Sequence, residues 1–396
     1  MKRVKKTVSL LLAVMMLVLV GCGGSSSKPA ASQPSESTGS QSTPEASTDY
    51  KIAILYTDAS QGEEPVRAYE KLKAQYGDKI VGAVIPNNES EALMSTALSL
   101  VSDPKVKALL VFQEPVGTVA AVDACREIRP DILYAAGVIA EDPVIASEAF
   151  DVMLNPNQIK LGELIIKLAQ NMGTKTFVHY SFPRHMAMAL LSSRRDVMED
   201  TCKELGIEFI NATAPDPMGD AGVSGTQQFI LEDIPKKVAE YGKDTAFFGT
   251  NTAMMDVIVK GVVENGGILP STCDPSPFQG FISGLGISIP GDRSSDPQYA
   301  VEQIKAALAA KNMSGRLATW PVASSSLYFY SIYEYACQWA EGKITQKTDI
   351  NAMQGIMTEV GSKMAGTNVT IYLEPYELQG KTYDTYFAFM MDYLVL

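Results

Sequence analysis

From Tyr50 onward the chain alternates short, almost wholly apolar runs with amphipathic stretches, and it does so in two successive series. Strands covered on both faces read as continuous apolar runs, so this rhythm predicts parallel sheets with helices on both sides. In the first series, strands are expected at Lys51–Tyr56, Ile80–Ile85, Val106–Phe112 and Ile132–Val138. Helices are expected at Glu64–Tyr76, at Ser90–Val101 and in a stretch ending near Arg129, which makes residues 50–152 one lobe.

The second series opens at Asn155-Pro156, read as an N-cap followed by proline at the first helical position. Strands are then expected at Thr176–Phe182, Glu208–Asn211, Ala246–Gly249 and Gln279–Ile282, with helices near 186–205, 226–241 and 252–265. Asp296-Pro297 caps one more helix, so 153–319 reads as a second lobe. The apolar helix Leu327–Ala340 lies in a stretch, 320–366, expected to return to the first lobe. Residues 367–396 read as strands that the pattern assigns to neither lobe.

Ahead of this body stand a basic start, Met1 to Lys6, and the apolar run Leu10–Val20. Eleven residues are too few for a bilayer core that needs about 20 in a helix, so residues 1–21 read as a signal peptide. Leu19-Val20-Gly21-Cys22 resembles the bacterial lipobox, which implies lipidation of Cys22, a lipid bilayer as partner and an extracytoplasmic location. Residues 22–49, rich in Ser, Thr, Pro and Gly, have too little apolar surface to fold and read as a tether with a reach of roughly 30 Å.

The formal charge of −12 becomes more negative once the leader's Lys2, Arg3, Lys5 and Lys6 are removed, which argues against a nucleic-acid partner. Cys125, Cys202, Cys273 and Cys337 form no Cys-x-x-Cys pair; they are small buried hydrophobes or a structural disulfide. With two histidines, His179 and His185, and no ligand motif around them, no metal site is expected, and no cofactor. Nucleophile-elbow, P-loop and dinucleotide-binding glycine motifs are all missing, so the chain does not read as an enzyme.

Two α/β lobes in tandem, exported and tethered, resemble the type I periplasmic solute-binding proteins, the group that includes ribose- and galactose-type binders and lactose-repressor-type sensor domains. The resemblance is carried by Lys51–Asp58, Val106–Glu114, Val152–Gly173, Ser193–Ile207 and Ala246–Met254, in that order and at that spacing. It departs from sugar-binding members at Thr252, where an aspartate is usual, and at Met198, where a glycine often stands. The implied fold is two doubly wound parallel-sheet lobes joined by a hinge. The implied role is capture of a small polar or anionic solute for a membrane permease of the ATP-driven importer class. The alternatives are a ligand-sensing partner of a membrane receptor and, through a carboxylate pair across the cleft, a hydrolase.

Ligands of open α/β sheets sit beyond the carboxyl ends of the strands, and here two such edges would face each other. That rule nominates Thr57, Asp58, Gln61, Gln113, Glu114 and Gly137 from the first lobe. From the second it nominates Tyr180, Phe182, Arg184, Arg195, Asn251, Thr252 and Ser283. Arg184 suits a carboxylate or phosphate, whereas an exposed salt bridge is its plainer use. Arg194 and Arg195 compete for one inward position. Asp58 and Gln61 could equally cap a helix, and aromatic residues in strands could equally be core.

Overall fold

Lys51–Tyr56, the apolar run that opens the body, is the strand β1, buried along all but its first residue. The computed structural model in which it lies describes residues 49–57, 63–85, 90–114, 116–139, 141–378 and 380–396. The leader, Cys22, the tether up to residue 48, Asp58 and Gln61 lie outside the described residues.

The chain continues as α1 (Glu63–Tyr76), β2 (Ile80–Val84), α2 (Ser90–Val101), β3 (Val106–Glu114), α3 (Thr118–Ile128), β4 (Leu133–Ile139), α4 (Pro143–Ala149) and β5 (Val152–Pro156). It then crosses over into α5 (Gln158–Asn171), β6 (Thr176–Ser181), α6 (Pro183–Met186), α7 (Ala189–Leu205), β7 (Glu208–Thr213), α8 (Gly222–Tyr241), β8 (Thr245–Gly249) and α9 (Met255–Asn265). After α10 (Phe281–Leu285), α11 (Pro297–Ala310) and β9 (Ala318–Thr319) it returns as α12 (Ser324–Ala340), α13 (Ile350–Ala365), β10 (Ile371–Leu378), β11 (Lys381–Met391) and β12 (Leu394–Val395).

Lobe 1 is a seven-stranded sheet in the order β10-β11-β5-β4-β3-β1-β2, parallel except for the edge strand β10. Alternate side chains feed two cores, because side chains along a strand point to opposite faces. Ile52, Ile54, Leu110 and Phe112 pack on one face, and Ala53, Leu55, Leu109 and Val111 on the other. Lobe 2 is built on the parallel sheet β7-β6-β8, widened by bridges from Ala246 to Ile268 and from Leu269 to Leu317 and by the β9–β12 pair. Three segments join the lobes, around 156–158, 319–324 and 391–394, and residues 46–396 form one compact unit. This is the type I periplasmic-binding-protein architecture.

One open assignment is settled and two expectations are corrected. The C-terminal stretch is shared: β10 and β11 complete the sheet of lobe 1, and β12 pairs with β9 in lobe 2. Asn155-Pro156 ends strand β5 within the lobe 1 sheet, and the cap of α5 is Asn157, whose side chain accepts from Lys160 N at 3.0 Å. The lobe 2 strand expected at Gln279–Ile282 is the turn and helix α10. Gly280, at φ 78°, enters α10 so close to α9 that a Cβ would stand 2.7 Å from the Met255 carbonyl carbon, and Gly286 ends it at φ 68°. The strand position next to β8 belongs to Ile268–Leu269. All four cysteines beyond Cys22 are free, with Cys125, Cys202 and Cys273 buried.

Candidate functional site

The parallel strands of both lobes end toward each other, so the loops that follow them form the interlobe cleft. In lobe 1, Thr57 follows β1 and donates its hydroxyl to Gln113 Oε1 at 2.6 Å. Gln113 and Val138 sit on the same rung of β3 and β4, between the pairs Phe112–Gly137 and Glu114–Ile139, and both have left-handed backbones, at φ 55° and 62°. For a β-branched valine this is a strained conformation, of the kind that persists where a site fixes it. Gly137 lies directly before it and serves packing: a Cβ there would stand 2.6 Å from the ring of Tyr328 on α12. The side chain of Glu114 lies outside the described residues.

Across the cleft, the loop after Ile268–Leu269 supplies Cys273, Asp274 and Ser276, none of them nominated from the sequence. Gln279 ties this loop to Thr252: its Nε2 donates to Thr252 Oγ1 at 3.2 Å and to Asp274 Oδ2 at 3.4 Å, and its Oε1 accepts from Asp274 N at 3.0 Å. Asn251 caps the short turn after β8 by accepting from Ala253 N at 2.9 Å. Glu64, from the first turn of α1, reaches over to accept from Ser276 Oγ at 2.8 Å and also accepts from Ser325 Oγ. Burial first, and then the Asp274 charge, raise its carboxyl above the usual carboxylate range against the pull of both serines and Arg67. Arg67 adds a second lobe-to-lobe contact, donating to Ser294 O at 3.4 Å. The lobes therefore meet in this conformation.

Arg194 is the residue that sets this cleft apart. It projects from α7 on the face that also buries Met198 and Cys202, and it is 1% exposed. Its Nη1 donates to Gln158 Oε1 at the first crossover, and its guanidinium lies 5.0 Å over the Phe248 ring. Nε and Nη2 are buried with no hydrogen-bond partner among the described residues. Asp274, Cys273 and Tyr393 stand within electrostatic reach, yet no ion pair joins Arg194 to Asp274 among the described residues. A buried charge left half-satisfied costs several kcal/mol, and this edge can take a further hydrogen-bond acceptor. At the second crossover, Trp320 Nε1 and Thr319 Oγ1 are also buried and unpaired among the described residues, and Tyr393 at the third hydrogen-bonds Ser271 at 2.9 Å.

The other lobe 2 nominees are placed elsewhere. Arg195 is turned outward to Asp196 at 2.6 Å, so Arg194 and not Arg195 takes the inward position. Arg184 is spent on Asp216, with Nε and Nη2 each donating to one carboxylate oxygen at 2.9 Å on the lobe surface. Tyr180 is core, stacked on Phe247 and donating to Asp233 at 2.9 Å. Phe182 is buried against the His185 ring. Ser283 is exposed on α10 because that segment is not a strand end. His185 lies near Thr250 Oγ1 at 3.1 Å, and burial, then the Arg184 charge, push it down to about 4. Among the described residues no cluster of His, Cys, Asp and Glu could hold a metal ion.

A groove of about 670 Å³ opens on the flank of lobe 1 between α1, α12 and α13, partly roofed by 291–298 of lobe 2. It shares Glu64 and the Arg67–Ser294 contact with the interlobe seam and runs from there along the helices.

The sequence model of the family described as Protein of unknown function (DUF3798) matches residues 50–318. The chain belongs to that family. An uncharacterized protein of Treponema pallidum (strain Nichols) is 34% identical over 172 residues, 43% of this chain and 80% of its own length. The crystal structure of a Clostridium difficile 630 protein described as a transcriptional regulator matches with a TM-score of 0.78 at 22% identity, over 88% of this chain and 99% of that one. At that identity the likeness is one of fold. A periplasmic solute-binding protein of Actinobacillus succinogenes 130z with bound D-allose aligns at a TM-score of 0.49 and 14% identity, over 74% of this chain and 92% of its own.

Proposed function

We propose that this protein captures a small polar solute between its two lobes and delivers it to a membrane importer. The observation that carries this reading is Arg194, buried at the hinge side of the cleft with Nε and Nη2 unpaired. Thr57, Gln113, Thr252, Asp274 and Gln279 supply polar groups from both sheet edges, and lobe closure would enclose what they bind. Among the described residues no catalytic constellation accompanies them, which supports capture over turnover.

An anchor would keep such a protein beside an importer at the outer face of the cell membrane. The basic start, the short apolar run and Leu19-Val20-Gly21-Cys22 support a lipid anchor at Cys22, with the following Ser- and Pro-rich stretch as the tether. Metabolic labelling with a palmitate analogue tests the anchor: label is expected on the wild-type chain and not on Cys22→Ser.

The capture reading is tested by a thermal-shift screen of residues 46–396 against sugars, nucleosides, amino acids, peptides and carboxylates. A ligand present at 100 times its Kd stabilises by about 2.7 kcal/mol, which moves Tm by several degrees. A hit that vanishes in Arg194→Gln supports the reading. A folded protein that answers to no compound contradicts it.

A further inference from the structure

Arg184 and Arg194 present the same guanidinium edge in two conditions. Arg184 uses Nε and Nη2 side by side to hold both oxygens of the Asp216 carboxylate, at 2.9 Å each. Arg194 leaves the same pair of atoms, Nε and Nη2, buried and empty, while its remaining nitrogen is fixed by Gln158. Two parallel N–H donors on one edge match a carboxylate, bidentate and charge-assisted, better than a single hydroxyl.

The opposite charge stands on the neighbouring loop. Asp274 is exposed and is tied through Gln279 to Thr252, four residues beyond the Phe248 ring that underlies Arg194, and its field is felt by Arg194 as well as by Glu64 and Tyr328 of lobe 1. Among the described residues its Oδ2 is engaged by Gln279 Nε2 and, at 3.7 Å, by the Cys273 thiol. Among the described residues the two form no ion pair. Here the guanidinium is fixed by Gln158 and Phe248, and the aspartate loop by Gln279 and the two prolines Pro275 and Pro277. Two fixed, unpaired charges of opposite sign are the complement of a ligand that carries both signs itself.

We propose that the solute is a zwitterion of the α-amino-acid class, with its carboxylate on Arg194 Nε and Nη2 and its ammonium facing Asp274. This rests on the cleft being the capture site. It narrows the solute from any small polar molecule to one with two charges a few ångströms apart.

Calorimetric titration of residues 46–396 with the twenty L-α-amino acids, D-ribose and adenosine tests this. For any amino acid that binds, its amide and its des-amino acid are titrated as well. The expected result is binding of at least one amino acid, weakened at least 30-fold in the amide and in the des-amino acid. Arg194→Gln is expected to lose at least 100-fold and Asp274→Asn about 10-fold, with circular dichroism confirming that both variants fold. The amide and des-amino comparisons use wild-type protein, so the test stands even where a variant does not fold. An amide that binds as well as its acid overturns the proposal. So does tight binding of D-ribose or adenosine with no amino acid bound, an outcome that leaves capture in the cleft intact. Binding of none of these probes overturns the amino-acid assignment, and a blank in the wider thermal-shift screen would then remove the capture reading too.

Discussion

Arg184 and Arg194 are ten positions apart on consecutive helices of one lobe, and each has a histidine neighbour, yet they behave as opposites. At the surface, Arg184 has a side chain 45% exposed, a carboxylate partner and water around it, so its pairing contributes little and asks for nothing more. In the interior, Arg194 is 1% exposed and, among the described residues, lacks a partner on one edge. The same side chain is satisfied in one place and half-satisfied in the other. Burial, and not residue type, makes the difference.

The histidines give the comparison its largest expected effect. Burial first, and then Arg194, hold His179 down to about 3, against an unfolded value of about 6.5. Between those values the unfolded chain binds the proton and the folded one does not, so this contribution is fully present above pH 6.5 and is lost as pH falls toward 3. His179→Leu is expected to flatten that acid limb by on the order of 3 kcal/mol in denaturant titrations run across the window. His185, held at about 4, should show the same sign over the narrower range from 6.5 to 4. An unchanged acid limb in His179→Leu would mean that the ring is not buried neutral beside Arg194.

A smaller effect separates the arginines themselves. Arg194→Met removes an incompletely paired buried charge and is expected to stabilise the ligand-free protein by about 1–2 kcal/mol. Arg184→Met removes an exposed pair and is expected to cost less than about 1 kcal/mol. Equal destabilisation in urea melts would put the two sites in the same class. The smallest effect lies at Asp216, whose carboxyl the Arg184 guanidinium holds below the usual range. In Arg184→Gln its carboxyl should titrate closer to the ordinary value by NMR, while Arg194→Gln leaves it in place.

Much of the fold was legible because parallel strands buried on both faces write themselves as runs such as Ile52–Tyr56 and Val106–Phe112. The cleft was less so. Ile268–Leu269 takes its place by isolated bridges, too short for any periodicity, and with that strand misplaced to 279–282 the loop bearing Asp274 was missed and Ser283 nominated instead. Gly280 and Gly286, flanking five residues, were the sign of a short helix. The choice between Arg194 and Arg195 was readable in principle: 194, 198, 201 and 202 share a helical face, and Met198 and Cys202 mark it as buried. Gly137 could not be assigned from the sequence, because its reason is Tyr328, which folds back from almost two hundred residues away.

The most direct test of the whole account is a crystal structure of residues 46–396 grown with the tightest compound from the thermal-shift screen. The account predicts that compound between the lobes, with two of its oxygens within about 3 Å of Arg194 Nε and Nη2 and its cationic group toward Asp274. A compound seated instead in the groove along α1, or an Arg194 edge that closes onto Asp274 with the cleft empty, would contradict it.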